Sequence, residues 1–148
     1  MRSSVLCSDA APASAAPAGA LHIAPDDWRA RNHVVDGHAV FPAAGFLQLL
    51  AARVPGSDAI EFRDLMWGRP LVLDAPADVT VELEADGRCA VRSGGKDSGA
   101  AHLRGSLRAA VTEASPLIIG RPSGAFDRDA FYARFERMGL RYGPDFQP

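Results

Sequence analysis

Apolar and polar positions change rhythm several times along the chain, and each change predicts a different element. Residues 44–54 are apolar at nearly every position except Gln48 and Arg53, which predicts a helix buried on all sides. Pro55-Gly56 is its stop signal. The pattern then turns to strands at 60–65 and 70–73, followed by the strict alternation Val-Thr-Val-Glu-Leu-Glu at 79–84. Such alternation marks a sheet with one wet face. Ala85-Asp86-Gly87-Arg88 is a hairpin turn into a strand at 89–92. A loop of Gly, Ser, Lys and Asp at 93–99 precedes a further long strand at 101–111. One helix wrapped by a curled antiparallel sheet, an α+β fold, is the arrangement this order suggests.

The ends read differently. Residues 1–19 are rich in Ala, Ser and Pro and form a linker or disordered tail. Leu21-His22-Ile23 is a short first strand, and Asp26-Asp27 ahead of Trp28 opens a helical turn, Asp being a good N-cap. Residues 112–122 are a connector. Phe131, Tyr132, Phe135 and Met138 then recur at helical spacing over 128–138, with Gly139 as the residue that ends the helix. The chain therefore divides into a tail (1–19), a folded unit (20–122) and a helix with an onward connection (123–148).

Composition narrows the function classes. In 148 residues, 47% are apolar and 23% charged, which suits one soluble domain with a real core. A net charge of −2 makes no electrostatic case for nucleic acid or an anionic membrane surface. Cys7 and Cys89 are the only cysteines, too few for a disulfide framework, so a reducing cytoplasm is expected. No apolar run approaches the roughly 18 residues of a membrane span, and the N-terminus lacks a secretory apolar region. His33 and His38 lie five apart with no Cys or Glu set at ligand spacing, so no metal is expected. Phosphate-cradling loops and dinucleotide fingerprints are absent from the pattern.

The chemistry concentrates in 33–50. The stretch reads as a histidine in a turn, one short strand, a proline and then the apolar helix. Gly37 suits a turn with positive φ or a close backbone approach. Pro42 fits the first turn of a helix, where a missing N–H costs nothing. The helix would then aim its free N–H groups at the histidine. A neutral imidazole beside backbone donors can remove a proton next to a carbonyl. Asp36 beside it reads as a turn former, and His102 as a sheet residue with a structural hydrogen bond.

His33, Gly37 and Pro42 form His-x-x-x-Gly-x-x-x-x-Pro, which resembles the signature of polyketide synthase dehydratase domains. Gly139-Leu140-Arg141-Tyr142-Gly143-Pro144-Asp145-Phe146-Gln147 is similar to that family's Gly-Leu-x-Tyr-Gly-Pro-x-Phe-Gln segment, and His102-Leu103-Arg104-Gly105 to its His-x-x-Gly strand. Trp28 resembles a tryptophan that the family places ahead of its histidine; a plain core aromatic is the alternative.

The resemblance implies a hotdog fold, the first half of a double hotdog, with the second half beyond Pro148. It implies loss of water from a β-hydroxyacyl thioester carried on the phosphopantetheine of an acyl carrier protein, with no cofactor bound by the domain itself. His33 becomes the general base. Gly37, Pro42, Ala43, Ala44, Tyr142 and Gly143 become substrate-binding positions. The proton donor is expected as an aspartate of the absent half, in an Asp-x-x-x-Gln or Asp-x-x-x-His helix. Expected partners are the carrier protein, the second hotdog half or other synthase domains, and a second copy of the chain. Ala43 departs from the family's usual glycine, and its methyl bears on substrate fit more than on chemistry. Two alternatives remain: a non-catalytic hotdog that binds acyl thioesters or braces synthase domains, and a dimeric single-hotdog hydratase or thioesterase.

Overall fold

A computed structural model describes residues 19–54, 56, 59–94, 101–110 and 124–147. Most of the tail at 1–19, the stop at Pro55, residues 95–99 of the 93–99 loop and the connector at 112–122 lie outside them.

Nine strands and three helices follow one another in the described residues. These are β1 (Ala20–Ile23), α1 (Trp28–Arg31), β2 (His33–Val35), β3 (His38–Phe41), α2 (Ala43–Ala51), β4 (Ile60–Trp67), β5 (Leu71–Val72), β6 (Ala77–Leu83), β7 (Arg88–Ser93), β8 (Ala101–Ala109), α3 (Arg128–Arg137) and β9 (Leu140–Tyr142), with a closing 3-10 turn at Pro144–Phe146. Five strands pair antiparallel in the order β1-β6-β7-β8-β4, and four short ones in the order β5-β3-β2-β9. This is the α+β hotdog expected from the pattern.

The alternation in β6 does what its period requires. Val79 and Val81 are buried on one face, and Val81 pairs with Val91 of β7. Gly87 closes the β6–β7 hairpin at φ 88°, a left-handed conformation that costs glycine little. Phe41, Leu50, Leu73 and Leu103 complete the fully buried core with Val79, Val81 and Val91. Burying each such side chain is worth roughly 1.5–3 kcal/mol. Helix α2 contributes Gly45, Phe46 and Leu50 to this core.

Three expectations are corrected. Helix α2 is not buried all round: Ala43, Ala44 and Gln48 are exposed, and Leu47 and Leu49 half-buried. One face lies on the core, and the other is left uncovered among the described residues. His33 does not sit in a turn. It opens strand β2, and the single short strand expected there is two, folded back at Asp36-Gly37. Residues 140–142, given no element in the sequence, form β9 against β2. No described helix is long and apolar enough to cross a membrane.

Candidate active site

The site begins with a hairpin that brings a backbone carbonyl over a histidine. Strands β2 and β3 flank Asp36 (φ 48°) and Gly37 (φ 87°), and the Asp36 N–H donates to the Gly139 carbonyl at 2.7 Å. The return strand places the Val40 carbonyl 2.9 Å from Nδ1 of His33. A carbonyl only accepts, so Nδ1 carries the proton and Nε2 keeps its lone pair. Nε2 has no hydrogen-bond partner among the described residues. His33 is half-buried. Its ring lies 5.8 Å from Tyr142, its partner across the β2–β9 ladder, and 6.3 Å from Phe146.

His33 borders a cavity of about 260 Å³ shared with the end of β3, the first turn of α2, residues 67–70 and His102. Pro42 is buried and caps α2 without a side-chain hydrogen bond. The Gly45 N–H turns back to the Pro42 carbonyl at 2.9 Å, so the N–H groups of Ala43 and Ala44 are the ones without an intrahelical acceptor. Ala43 lines the cavity. The positive end of the helix dipole therefore points toward the same space as His33.

His102 forms the opposite wall and is only 3% exposed. Its Nδ1–H donates to the Arg69 carbonyl at 2.9 Å, and its Nε2 accepts from the Ser93 hydroxyl at 2.8 Å. The ring stacks on Phe46 at 5.7 Å. Burial pushes the His102 imidazole below the ordinary histidine value, opposed by its backbone hydrogen bond to Arg69. Both nitrogens are committed, so this histidine is structural, as the sheet position suggested. Phe46 packs on Phe41 at 5.1 Å, and the Arg29 guanidinium covers Phe41 at 4.7 Å. Arg29 is itself gripped by the Asp27 carboxylate at 2.7 Å, which holds that carboxyl below its usual range.

The expected site residues separate into two groups. His33 and Ala43 meet in the cavity, while Gly37 and Pro42 shape the hairpin and the helix start beside it. Ala44, Tyr142 and Gly143 are not among the described lining residues. Ala44 is exposed on the outer side of α2. Tyr142 backs the imidazole from the neighbouring strand and borders a separate concavity with α3. The Gly143 N–H donates to the Asn32 carbonyl at 2.8 Å, and a Cβ there would collide with the Asn32 side chain. Trp28 is 47% exposed, so it is no core aromatic; its ring lies 6.0 Å from Phe146.

Sequence reading missed Asn32, Trp67 and Arg69. Trp67 reaches the cavity from the end of β4 and Arg69 from the β4–β5 connection, neither of which carries a local motif. Asn32 is 3% exposed, and its place immediately before His33 was the one available signal. Among the described residues no group of His, Cys, Asp and Glu is arranged to hold a metal.

A family model described as the polyketide synthase dehydratase domain matches residues 9–94. Polyketide synthase ThaG of Burkholderia thailandensis is 32% identical over 143 residues, covering 80% of this chain and 2% of that protein. Polyketide synthase GfsB of Streptomyces halstedii is 31% identical over 145 residues, covering 87% of this chain and 3% of that protein. Among solved structures, a trans-AT dehydratase domain from Brevibacillus brevis superposes with a TM-score of 0.72 at 22% identity, covering 86% of this chain and 55% of that one. The GphF dehydratase gives 0.70 at 25% identity, covering 92% of this chain and 53% of that one. The chain thus spans about half the length of these solved domains and a few per cent of the synthases.

Proposed function

The chain belongs to the polyketide synthase dehydratase family and corresponds to its N-terminal hotdog half, and on that footing we propose that His33 is the base of a water-eliminating site. The substrate class is a β-hydroxyacyl thioester on the phosphopantetheine of an acyl carrier protein. His33 Nε2 takes the α-proton, the C–O bond to the β-hydroxyl breaks, and a proton delivered to that oxygen releases water and leaves an enoyl thioester. Helix N–H groups at Ala43 would face the thioester oxygen as charge develops on it.

The observation that carries the reading is the His33–Val40 hydrogen bond, which fixes the tautomer with a lone pair on Nε2. No carboxyl group is among the described residues lining the cavity; the family resemblance implies a proton donor from an aspartate of the second hotdog half. The same feature favours a second reading, a hotdog that binds acyl thioesters without turning them over. Other synthase domains or a second copy of the chain would be its neighbours in either case.

One experiment separates the two. The full chain is incubated with an acyl-pantetheine thioester in heavy water, and loss of the α-proton signal is followed by NMR. This step needs the base alone. Exchange above buffer that disappears in a folded His33→Ala variant is the expected result. Exchange no faster than buffer, or unchanged in His33→Ala, removes the catalytic reading and leaves the binding one.

A further inference from the structure

Asn32 is buried, polar and covalently next to His33, yet it faces away from the chemistry and toward the C-terminal segment. Its side-chain amide has two hydrogens, and both are used. Nδ2 donates to the Trp28 carbonyl at 2.6 Å and to Oδ2 of Asp145 at 2.7 Å. Oδ1 accepts from the Asp145 N–H at 3.4 Å, and the backbone carbonyl accepts from the Gly143 N–H at 2.8 Å. One residue thus ties the end of α1 to two positions of the Tyr-Gly-Pro-Asp-Phe segment, across 113 residues of chain.

The tie matters because the ladder it anchors is short. Strands β2 and β9 pair over three residues, with His33 opposite Tyr142 at the end nearest Asn32. The Asp36 N–H to Gly139 bond closes the other end. A short ladder specifies its register weakly unless something pins it. Asp145 also sits in the 3-10 turn that carries Phe146, whose ring flanks both His33 and Trp28. With the pin in place, Tyr142 and Phe146 fill the space beside the imidazole, and its ring stays on the Val40 carbonyl.

We infer that Asn32, clamped to Asp145, is a positioning residue that holds His33 in the orientation its hydrogen bond to Val40 requires. The inference deepens the reading of His33 as a base and rests on it for its kinetic consequence, though not for its structural one. Asn32→Asp keeps the shape, removes both donors and sets a carboxylate against the Asp145 carboxylate and the Trp28 carbonyl. Asp145→Asn leaves Asn32 an amide oxygen to bind and is the milder change. The pair Asn32→Asp with Asp145→Asn restores one donor and one acceptor across the clamp.

The test follows α-proton exchange and the ¹⁵N spectrum of His33 in the full chain for these variants. A small error in placing a reacting group costs of order 10²-fold, so Asn32→Asp is expected to slow exchange ~10- to 100-fold with KM changed less than ~2-fold. His33 would then show mixed tautomers. Asp145→Asn loses less, and the double variant recovers part of the rate and of the single tautomer. An Asn32→Asp protein that melts earlier but keeps the wild-type turnover and tautomer overturns the inference. If Asn32→Asp does not fold, Asp145→Ala removes the distal half of the clamp and is judged by the same two readouts. Absent exchange in the wild type would remove the proposed function alone, because the tautomer of His33 still decides the clamp.

Discussion

Two histidines wall one cavity and begin from the same hydrogen bond. His33 and His102 each have Nδ1 at 2.9 Å from a backbone carbonyl, Val40 in one case and Arg69 in the other. They part at the second nitrogen. In His102 Nε2 accepts from Ser93, the ring lies flat on Phe46, and burial disfavours the charged form. In His33 Nε2 meets no protein donor among the described residues, and the ring is half-buried between Tyr142 and Phe146. A carbonyl at Nδ1 fixes the tautomer in both. What would make a base of one and a strut of the other is whether the lone pair is already spent.

The comparison is most severely tested by His33→Gln. It keeps a donor for the Val40 carbonyl but loses the imidazole lone pair, so α-proton exchange should fall by roughly 10²–10⁴-fold while the melting temperature moves little. Unchanged exchange would mean that the two histidines do not differ in role. His102→Ala should invert the pattern. Removing it orphans the Arg69 carbonyl, takes the acceptor from the Ser93 hydroxyl (which keeps its hydrogen bond from Arg69) and leaves a void, a loss of about 2–4 kcal/mol by denaturant unfolding. Exchange should fall by less than about tenfold, since no lone pair used in chemistry is removed.

Gly45→Ala probes the wall behind His102 without touching either imidazole. A Cβ at Gly45 would lie 2.6 Å from the Phe41 ring, which carries Phe46 and through it His102. Displacing that ring should cost about 1–3 kcal/mol, with the His33 tautomer unchanged. Acidity gives the smallest effect, and its sign is fixed. His102 has its pKa lowered in the folded state, so below about 6.5 the unfolded chain binds a proton the folded one refuses. That contribution is complete above 6.5 and is lost as pH falls through the window from there to the folded value. Exposed His38 has its pKa raised by its hydrogen bond to Asp74 and acts oppositely, adding stability below 6.5 that disappears as pH rises through its folded value. Replacing His102 with Gln should flatten the acid-side fall in thermal melts, and replacing His38 with Gln should not.

Local pattern made part of this legible. The β6 alternation, the Gly87 hairpin and the start of α3 at Arg128 with its stop at Gly139 are each decided by a few neighbouring residues, and each lies where the local pattern placed it. The spacing of His33, Gly37 and Pro42 likewise announced a turn beside a helix start. The hairpin itself had one local signal, the Asp36-Gly37 pair, which suits a two-residue turn with positive φ at both positions, but Val34-Val35 and Ala39-Val40-Phe41 show no alternation to mark two strands. An apolar helix cannot say which of its faces lacks a partner, so the exposure of Ala43 and Ala44 was invisible in advance. Strand β9 and the Asn32 clamp are long-range pairings, and nothing in a window of ten residues encodes them.

Among the described residues folding leaves the Nε2 lone pair of His33 without a protein partner, and a long-range ¹H–¹⁵N spectrum of the uniformly labelled chain at pH 8 reads its tautomer directly. His33 is expected wholly as the Nδ1–H tautomer, with Nε2 at the shift of an unprotonated nitrogen and Nδ1 at that of a protonated one. A His33 signal showing the proton on Nε2, or an even mixture of the two tautomers, would contradict it.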